Sequence, residues 1–309
     1  MDAATLDLPR AARFEELSRR HPCLSGQAHG RSGRLHLPVS PACNIHCRFC
    51  TRGLDSDSAR PGVAARLLPP DEAPGVVARA LDVCPELAVV GVAGPGDSLA
   101  SDHAIEALGA VHERFPDLIK CLSTNGLRLV ERVEDLVTAG VSTVTVTVNA
   151  TDSEELAEIC GAVRVEYGKG QRKVLRGVEA ARILIASQLE GIRAAVAAGI
   201  VVKVNTVLIP GVNDVSISDI AESVKEAGAS LYNVIPLIPT TTAPDLESPD
   251  CAQLQDARTA AEQHLPVFRH CRQCRADALG VPGDGRDLGR LLYGDLAPGL
   301  ASEATFSHG

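Results

Sequence analysis

The chain has 309 residues, is 45% hydrophobic and carries a net charge of −9, so one barrel-sized domain with appendages is expected. Its acidic balance and lack of Lys/Arg runs argue against nucleic acid as a main partner. No run nears roughly 18 uncharged apolar residues, so no membrane span is expected. No signal-peptide core is visible near the N-terminus, which predicts a cytoplasmic protein, and there ten cysteines point to metal or redox chemistry before disulfides.

Residues 1–33 form an extension ahead of the first strand-like run. They carry His21-Pro22-Cys23-Leu24-Ser25 and His29, and His36 follows closely, so a cysteine and several histidines crowd together. From Arg34 to about Thr240, strand-like and helix-like segments alternate, which predicts parallel βα units. Strands are expected over 34–40, 87–93, 118–123, 142–148, 200–208 and 231–238. A helix is expected over 128–139, where Leu129, Val133, Leu136 and Val137 recur at helical spacing before Gly140. A longer one spans 176–198, with Ala181, Ile185, Leu189, Ile192 and Val196 as its buried stripe before Gly199.

These units fit an α/β fold, a partial (β/α)6 TIM-like barrel over 34–240 whose site lies at the C-terminal ends of the strands. A doubly wound open sheet is the alternative from pattern alone. Residues 241–282 form a C-terminal extension with a short helical patch near 250–264. Residues 283–309 have spaced glycines and no useful amphipathic run, and read as a flexible tail.

Side chains alternate faces along a strand, so polar residues can be sorted. Val144, Val146 and Val148 share one face and should meet the outer helices, which sends Thr145, Thr147 and Asn149 inward. By the same alternation His36 lies opposite Leu35, Leu37 and Val39; Cys121 and Ser123 lie opposite Leu122. Lys203 and Asn205 lie opposite Val202, Val204 and Thr206. Several strands thus send a polar or ligating side chain into one interior space, which favours a site over an aliphatic core.

Cys43, Cys47 and Cys50 stand at C-x3-C-x2-C spacing just after the first strand-like run. Thiolates so spaced can hold three irons of a [4Fe–4S] cube and leave the fourth open to a small molecule; a zinc knuckle or structural thiol cluster is the other reading. Cys271 and Cys274 form a C-x2-C flanked by His270, Arg272 and Arg275. It is half of a zinc site, an incidental thiol pair, or a ligand pair for an anionic iron–sulfur cluster, whose charge the arginines would offset. Gly94-Pro95-Gly96-Asp97 follows the second strand as a turn. Ser123-Thr124-Asn125-Gly126, Asn149, and Asn205 with its following Pro210-Gly211-Val212-Asn213-Asp214 close later strands, where Asn and Gly also serve as ordinary turn residues. Cys84, Cys160 and Cys251 stand alone and read as small buried hydrophobes or incidental surface thiols.

The cysteine spacing, with Phe49 before the last thiol, resembles the signature of radical S-adenosylmethionine (SAM) enzymes. The resemblance extends to the NifB family of nitrogenase cofactor-maturation enzymes through HPCLSGQAH, PACNIHCRFC, SARPGV, GVAGPGD, CLSTNGL, KVNTVLIPGVND, NVIPLI and HCRQCRADALG, in order over 21–280. It implies that Cys43, Cys47 and Cys50 hold a SAM-binding [4Fe–4S] cluster. Gly94, Pro95, Gly96, Asp97, Ser123, Asn125, Asn149 and Asn205 would then contact SAM. It further implies two [4Fe–4S] substrate clusters, one on His36 and Cys121 and the other on Cys23, Cys271 and Cys274. These are fused into an eight-iron, carbide-centred precursor with added sulfur. One SAM gives a methyl group to a cluster sulfide, and another gives the radical that abstracts hydrogen from it. Iron–sulfur cluster donors, cofactor carrier proteins and an electron donor such as ferredoxin or flavodoxin are the implied partners.

The chain departs from the family between Cys50 and Arg60, where a further ligating cysteine is expected and Ser56 stands near its place. A hydroxyl is a poor soft-metal ligand, and Asp55 or Asp57 would be a harder one. Two alternatives therefore stay open: a NifB-like enzyme diverted to methyl transfer or sulfur insertion on another substrate, and a non-catalytic iron–sulfur scaffold.

Overall fold

The computed structural model describes residues 9–55, 58–167, 171–284, 286 and 288–293. In chain order the first elements are α1 (Arg10–Ser18), β1 (Gly33–His36), β2 (Ile45–Cys47), β3 (Gly53–Leu54), β4 (Val63–Ala64) and α2 (Ala73–Val83). Then come β5 (Leu87–Val92), α3 (His103–Arg114), β6 (Ile119–Thr124), α4 (Leu129–Thr138), β7 (Val141–Thr147) and α5 (Ser153–Ile159). Next are β8 (Cys160–Tyr167), β9 (Gln171–Leu175), α6 (Gly177–Ala197), β10 (Val201–Leu208), α7 (Ile217–Glu226) and β11 (Leu231–Pro236). α8 (Cys251–Glu262), β12 (Leu279–Gly280) and α9 (Gly289–Tyr293) complete the described chain.

The main sheet runs β11-β10-β7-β6-β5-β1-β12, parallel throughout except for β12, which pairs antiparallel with β1. Its parallel strands stand side by side in chain order. A doubly wound sheet reverses direction at a switch point, and none exists here, so the open-sheet alternative falls. The sheet is the curled half-barrel that a partial TIM-like barrel requires.

The valine face meets the helices as alternation requires: Val144, Val146, Val148, Val202 and Val204 are buried with Leu108, Leu136, Ile192 and Val224 in one core. A buried polar side chain on the same layer is Lys120, whose Nζ donates to the carbonyls of Phe115, Pro116 and Leu118 at 2.7–2.9 Å. It ties a strand to the loop before it. The helix expected over 128–139 is α4, that over 176–198 is α6, and the patch near 250–264 is α8, begun by an Asp250–Gln253 capping box.

Two features depart from expectation. β2, β8 and β9 make a separate antiparallel sheet, and β2 is the middle of the cysteine loop. The segment expected as a tail from 283 is ordered over 288–293: Leu292 and Tyr293 are buried, and the Tyr293 hydroxyl donates to the His36 carbonyl at 2.7 Å. Residues 294–309 lie outside the described residues.

The cysteine loop is locked to the turn after β5 by backbone alone. Gly96 N–H donates to Ser40 O at 2.7 Å and Asp97 N–H to Ala42 O at 2.8 Å. A Cβ on Gly96 would fall 1.9 Å from the Ala42 carbonyl oxygen. Gly96→Ala should therefore cost about 1–3 kcal/mol, as overpacking does, and lower the melting temperature of the metal-free chain. An unchanged melt would show that the two loops are not locked together.

Candidate active site

A cavity of about 380 Å³ opens at the carboxyl ends of the strands and reaches into the barrel, within the size range of small-molecule sites. Cys43, Cys47, Cys50, Cys23, His36, Cys121, Cys271 and Cys274 all line it. So do Pro95, Gly96, Asp97, Ser123, Asn125, Asn149 and Asn205; Gly94 is not on its wall. Gly94 instead packs its backbone against Gly62 and Ala276, where a Cβ would sit 3.3 and 3.2 Å from their atoms.

At one end of the cavity the Cys43–Cys50 loop is clamped to β8. Cys47 pairs with Cys160, the Arg164 N–H donates to Asn44 O at 2.7 Å, and Arg48 N–H to Ile159 O at 3.0 Å. Asn125 reaches over from the end of β6, donating through Nδ2 to Asn44 Oδ1 at 2.6 Å and lying 3.8 Å from Cys43 Sγ. Its Oδ1 accepts from Leu127 N–H. The Asp97 carboxylate accepts from Leu99 N–H at 2.9 Å, Thr124 Oγ1 at 3.0 Å and Asn125 N–H at 2.5 Å. It therefore braces the β6 turn while one edge faces the cavity. Burial raises the Asp97 carboxyl, and those hydrogen bonds oppose the rise.

Asn149 and Asn205 are likewise part brace and part wall. Asn149 Oδ1 accepts from Val207 N–H at 3.0 Å and Asn205 Oδ1 from Asn233 Nδ2 at 3.0 Å. Asn213 is wholly structural, holding Ile209 N–H and the carbonyls of Asn149 and Val207.

At the other end His36 and Cys121 straddle Gly91, whose added Cβ would lie 2.6 Å from Cys121 Sγ and 3.7 Å from His36 Cδ2. The His36 Nδ1 lies 2.8 Å from Arg275 O. A carbonyl only accepts, so Nδ1 carries the proton and Nε2 keeps its lone pair, the form that binds metal. Arg34 donates through Nε and Nη2 to Cys274 Sγ at 3.3 and 2.9 Å. Lys203 donates to Cys23 O at 3.2 Å and sits 5.4 Å over the Phe268 ring.

Burial governs the titration of this wall. It lowers His36 to about 4, with Arg34 adding to the effect, and His21 to about 3, with Lys203 adding. It raises Cys50 to about 11 and Cys121 to about 12, and raises Cys23 as well. Hydrogen bonding to Cys160 and then burial push Cys47 up, while the same contact lowers Cys160.

Cys160 is the thiol that spacing could not flag: it is buried on the cavity wall against Cys47. Arg52, which donates to Ile45 O at 3.0 Å, also lines the cavity. Cys84 is a buried apolar side chain and Cys251 an exposed one, as expected. Asp55 is exposed off the cavity, and Ser56 and Asp57 lie outside the described residues. Among the described residues no three His, Cys, Asp or Glu side chains form a ready-made single-ion site. The donor set is soft, with three loop thiols on one wall and a histidine presenting its Nε2 lone pair on another, and this chemistry fits iron–sulfur clusters.

The radical SAM superfamily model matches residues 37–224. The FeMo cofactor biosynthesis protein NifB of Methanocaldococcus jannaschii is 43% identical over 278 residues, covering 89% of this chain and 91% of that one. The NifB of Methanocaldococcus infernus is 41% identical, covering 89% of each. The Klebsiella pneumoniae NifB is 42% identical over 86% of this chain, which spans 58% of that longer protein. Among solved structures, a radical SAM methyltransferase from Sphaerobacter thermophilus matches with TM-score 0.54 at 19% identity, covering 78% of this chain and 66% of that one. Streptococcus suis SuiB bound to S-adenosylmethionine matches with TM-score 0.56 at 17% identity, covering 78% and 51%.

Neutral buried imidazoles make stability depend on pH. Below the ordinary value of 6.5 the unfolded chain takes up protons that folded His21 and His36 refuse until about 3 and about 4. Their contribution is full above pH 6.5 and is lost as pH falls toward those values. Melts of the metal-free chain between about pH 7.5 and 5 should decline, and more steeply than those of a His21→Asn/His36→Asn variant. Parallel curves would show that these rings titrate normally.

Proposed function

The chain belongs to the NifB family of radical SAM enzymes, and from that premise we propose that it fuses two [4Fe–4S] clusters, with a SAM-derived carbide and added sulfur, into the eight-iron precursor of the nitrogenase cofactor. The observation that carries this reading is the convergence of Cys23, His36, Cys121, Cys271 and Cys274 on the same cavity as the Cys43, Cys47 and Cys50 loop. Four further thiols and an imidazole beside the cofactor loop are a donor set suited to iron–sulfur clusters held as substrate.

The resident [4Fe–4S] cluster, when bound by Cys43, Cys47 and Cys50, supplies the electron that cleaves SAM. Asn125 holds the Asn44 side chain and lies beside the Cys43 thiol. Asp97 holds the β6 turn in place, and Gly96 lets the neighbouring backbone approach. Pro95, Ser123, Asn149 and Asn205 line the space beside the loop and offer polar edges to SAM.

The substrate clusters divide between two ligand groups. Cys121 and His36 flank Gly91 and would hold one. Cys23 has Cys271 and Cys274 among its electrostatic neighbours, and these three would hold the other. Lys203 and Arg34 place positive charge beside the second group, which offsets the charge of thiolate-bound clusters. Cys121 also interacts with Cys23, so the two groups adjoin, as fusion demands.

Cluster donors, a cofactor carrier and a ferredoxin or flavodoxin electron donor complete the proposed cycle. Among the described residues no helix is long and apolar enough to cross a membrane.

Anaerobic reconstitution of the full chain should load about 12 irons, the content of three cubanes, against about four for the SAM cluster alone. With SAM and a reductant it should release both 5′-deoxyadenosine and S-adenosylhomocysteine. Loss of the second product would point to a diverted reaction. Iron stopping near eight would mean that one substrate site is missing, and zinc in place of iron would sink the reading altogether.

A further inference from the structure

His21 and His36 both line the cavity, and both are buried or nearly so, yet their rings are wired oppositely. His36 Nδ1 faces a carbonyl, so its proton sits there and its Nε2 lone pair is free. His21 Nδ1 faces the Cys23 backbone N–H at 3.1 Å. An amide nitrogen can only donate, so His21 Nδ1 carries the lone pair, the ring is neutral, and the proton sits on Nε2. For Nε2 to bind iron the proton would have to move to Nδ1, against an amide that offers a second proton at the same place. That exchange would break the hydrogen bond and set two donors facing each other.

The electrostatic neighbours of His21 are Lys203 and His36, and it stands two residues from Cys23. We infer that His21 is an N–H donor to a sulfide of a substrate cluster seated in this cavity, and is not one of its ligands. This rests on the proposed reading that a substrate cluster binds there. A donor to sulfide withdraws electron density and favours the reduced cluster, so His21 acts as a positioning and tuning residue for the cluster that reacts. The fixed Nδ1 contact also couples the ring to the backbone of a ligand residue, so ring and thiol move together.

Asparagine and glutamine separate the two nitrogens. His21→Asn places an acceptor oxygen near Nδ1 and keeps the bond to Cys23 N–H, but has nothing at Nε2. His21→Gln places an amide near Nε2. Each variant is reconstituted with ferrous iron and sulfide in the full chain, in a background with Cys43, Cys47 and Cys50 replaced by alanine so that only substrate clusters report. The control should load about eight irons. His21→Asn should load the same iron, with a lower cluster reduction potential and loss of one exchangeable-proton coupling in electron–nuclear double resonance. His21→Gln should recover part of both.

If His21→Asn matches the control in potential and proton coupling, the ring is only a brace and the inference fails while the cluster assignment stands. If His21→Asn folds but loses about four irons, His21 is a ligand and the inference fails. If the control itself binds no iron, the cluster reading fails first and takes the inference with it.

Discussion

The antiparallel join of β1 to β12 is the contact on which the site depends. It is a short join, pairing Arg34 with Gly280 and Leu35 with Leu279, and side chains extend it. Arg34 donates to Gly280 O at 3.0 Å and to Cys274 Sγ, His36 to Arg275 O, and Tyr293 to His36 O. Arg275 forms an ion pair with Asp277 at 2.8 Å and donates to the carbonyls of Asp55 and Ser58. Asp277 in turn accepts from Ala65 N–H at 2.6 Å. A partly buried ion pair is useful only when its remaining donors and acceptors are satisfied. Here they are satisfied by the segments that flank the cavity, so the C-x2-C, His36 and the chain after the cysteine loop share one node.

The same burial that builds the cavity sets its charge state. A thiolate withdrawn from water without a cation is costly, and Cys23 and Cys121 are accordingly held up as thiols in the metal-free chain. A bound metal reverses this, because coordination deprotonates the thiol. Loading is therefore coupled to proton release, and the cations already in the wall matter afterwards. Arg34 and Lys203 lie beside the Cys23 and Cys274 group, and Arg52 lies beside the cysteine loop. The histidines need no such reversal, since burial keeps them in the neutral form that serves either as ligand or as donor.

Much of the fold was legible because its signals are local. Period-two alternation in 143–149 placed the valines outward and Asn149 inward, and the same rule placed Cys121, Lys203 and His36 on the cavity wall. The β8–β9 hairpin was not legible: β9 exposes Gln171, Arg172, Lys173 and Val174 and so presents no apolar face to read. α9 is too short for an amphipathic period, and only its packing against the core reveals it. Cys160 was missed for a different reason. Its neighbour Cys47 is brought to it by cross-strand pairing between distant segments, and no spacing in the sequence encodes that. The family motifs pointed to the proposed ligands, while the tautomers of His21 and His36 depended on backbone partners that only the fold supplies.

Those partners explain how two residues of one type take different parts. The carbonyl facing His36 belongs to Arg275, next to Cys274, and the amide facing His21 belongs to Cys23 itself. In each case the segment that supplies a thiol also sets the protonation of an imidazole. A displacement of 271–275 would move Cys274 and release His36 Nδ1 in one step, and a displacement of 21–23 would carry Cys23 and the His21 ring together. Ligand geometry and hydrogen-bond donation therefore cannot drift independently. For a cavity in which thiols, imidazoles and cations must all face the same small volume, this coupling lets short loops hold a reactive arrangement without a rigid element beneath each residue.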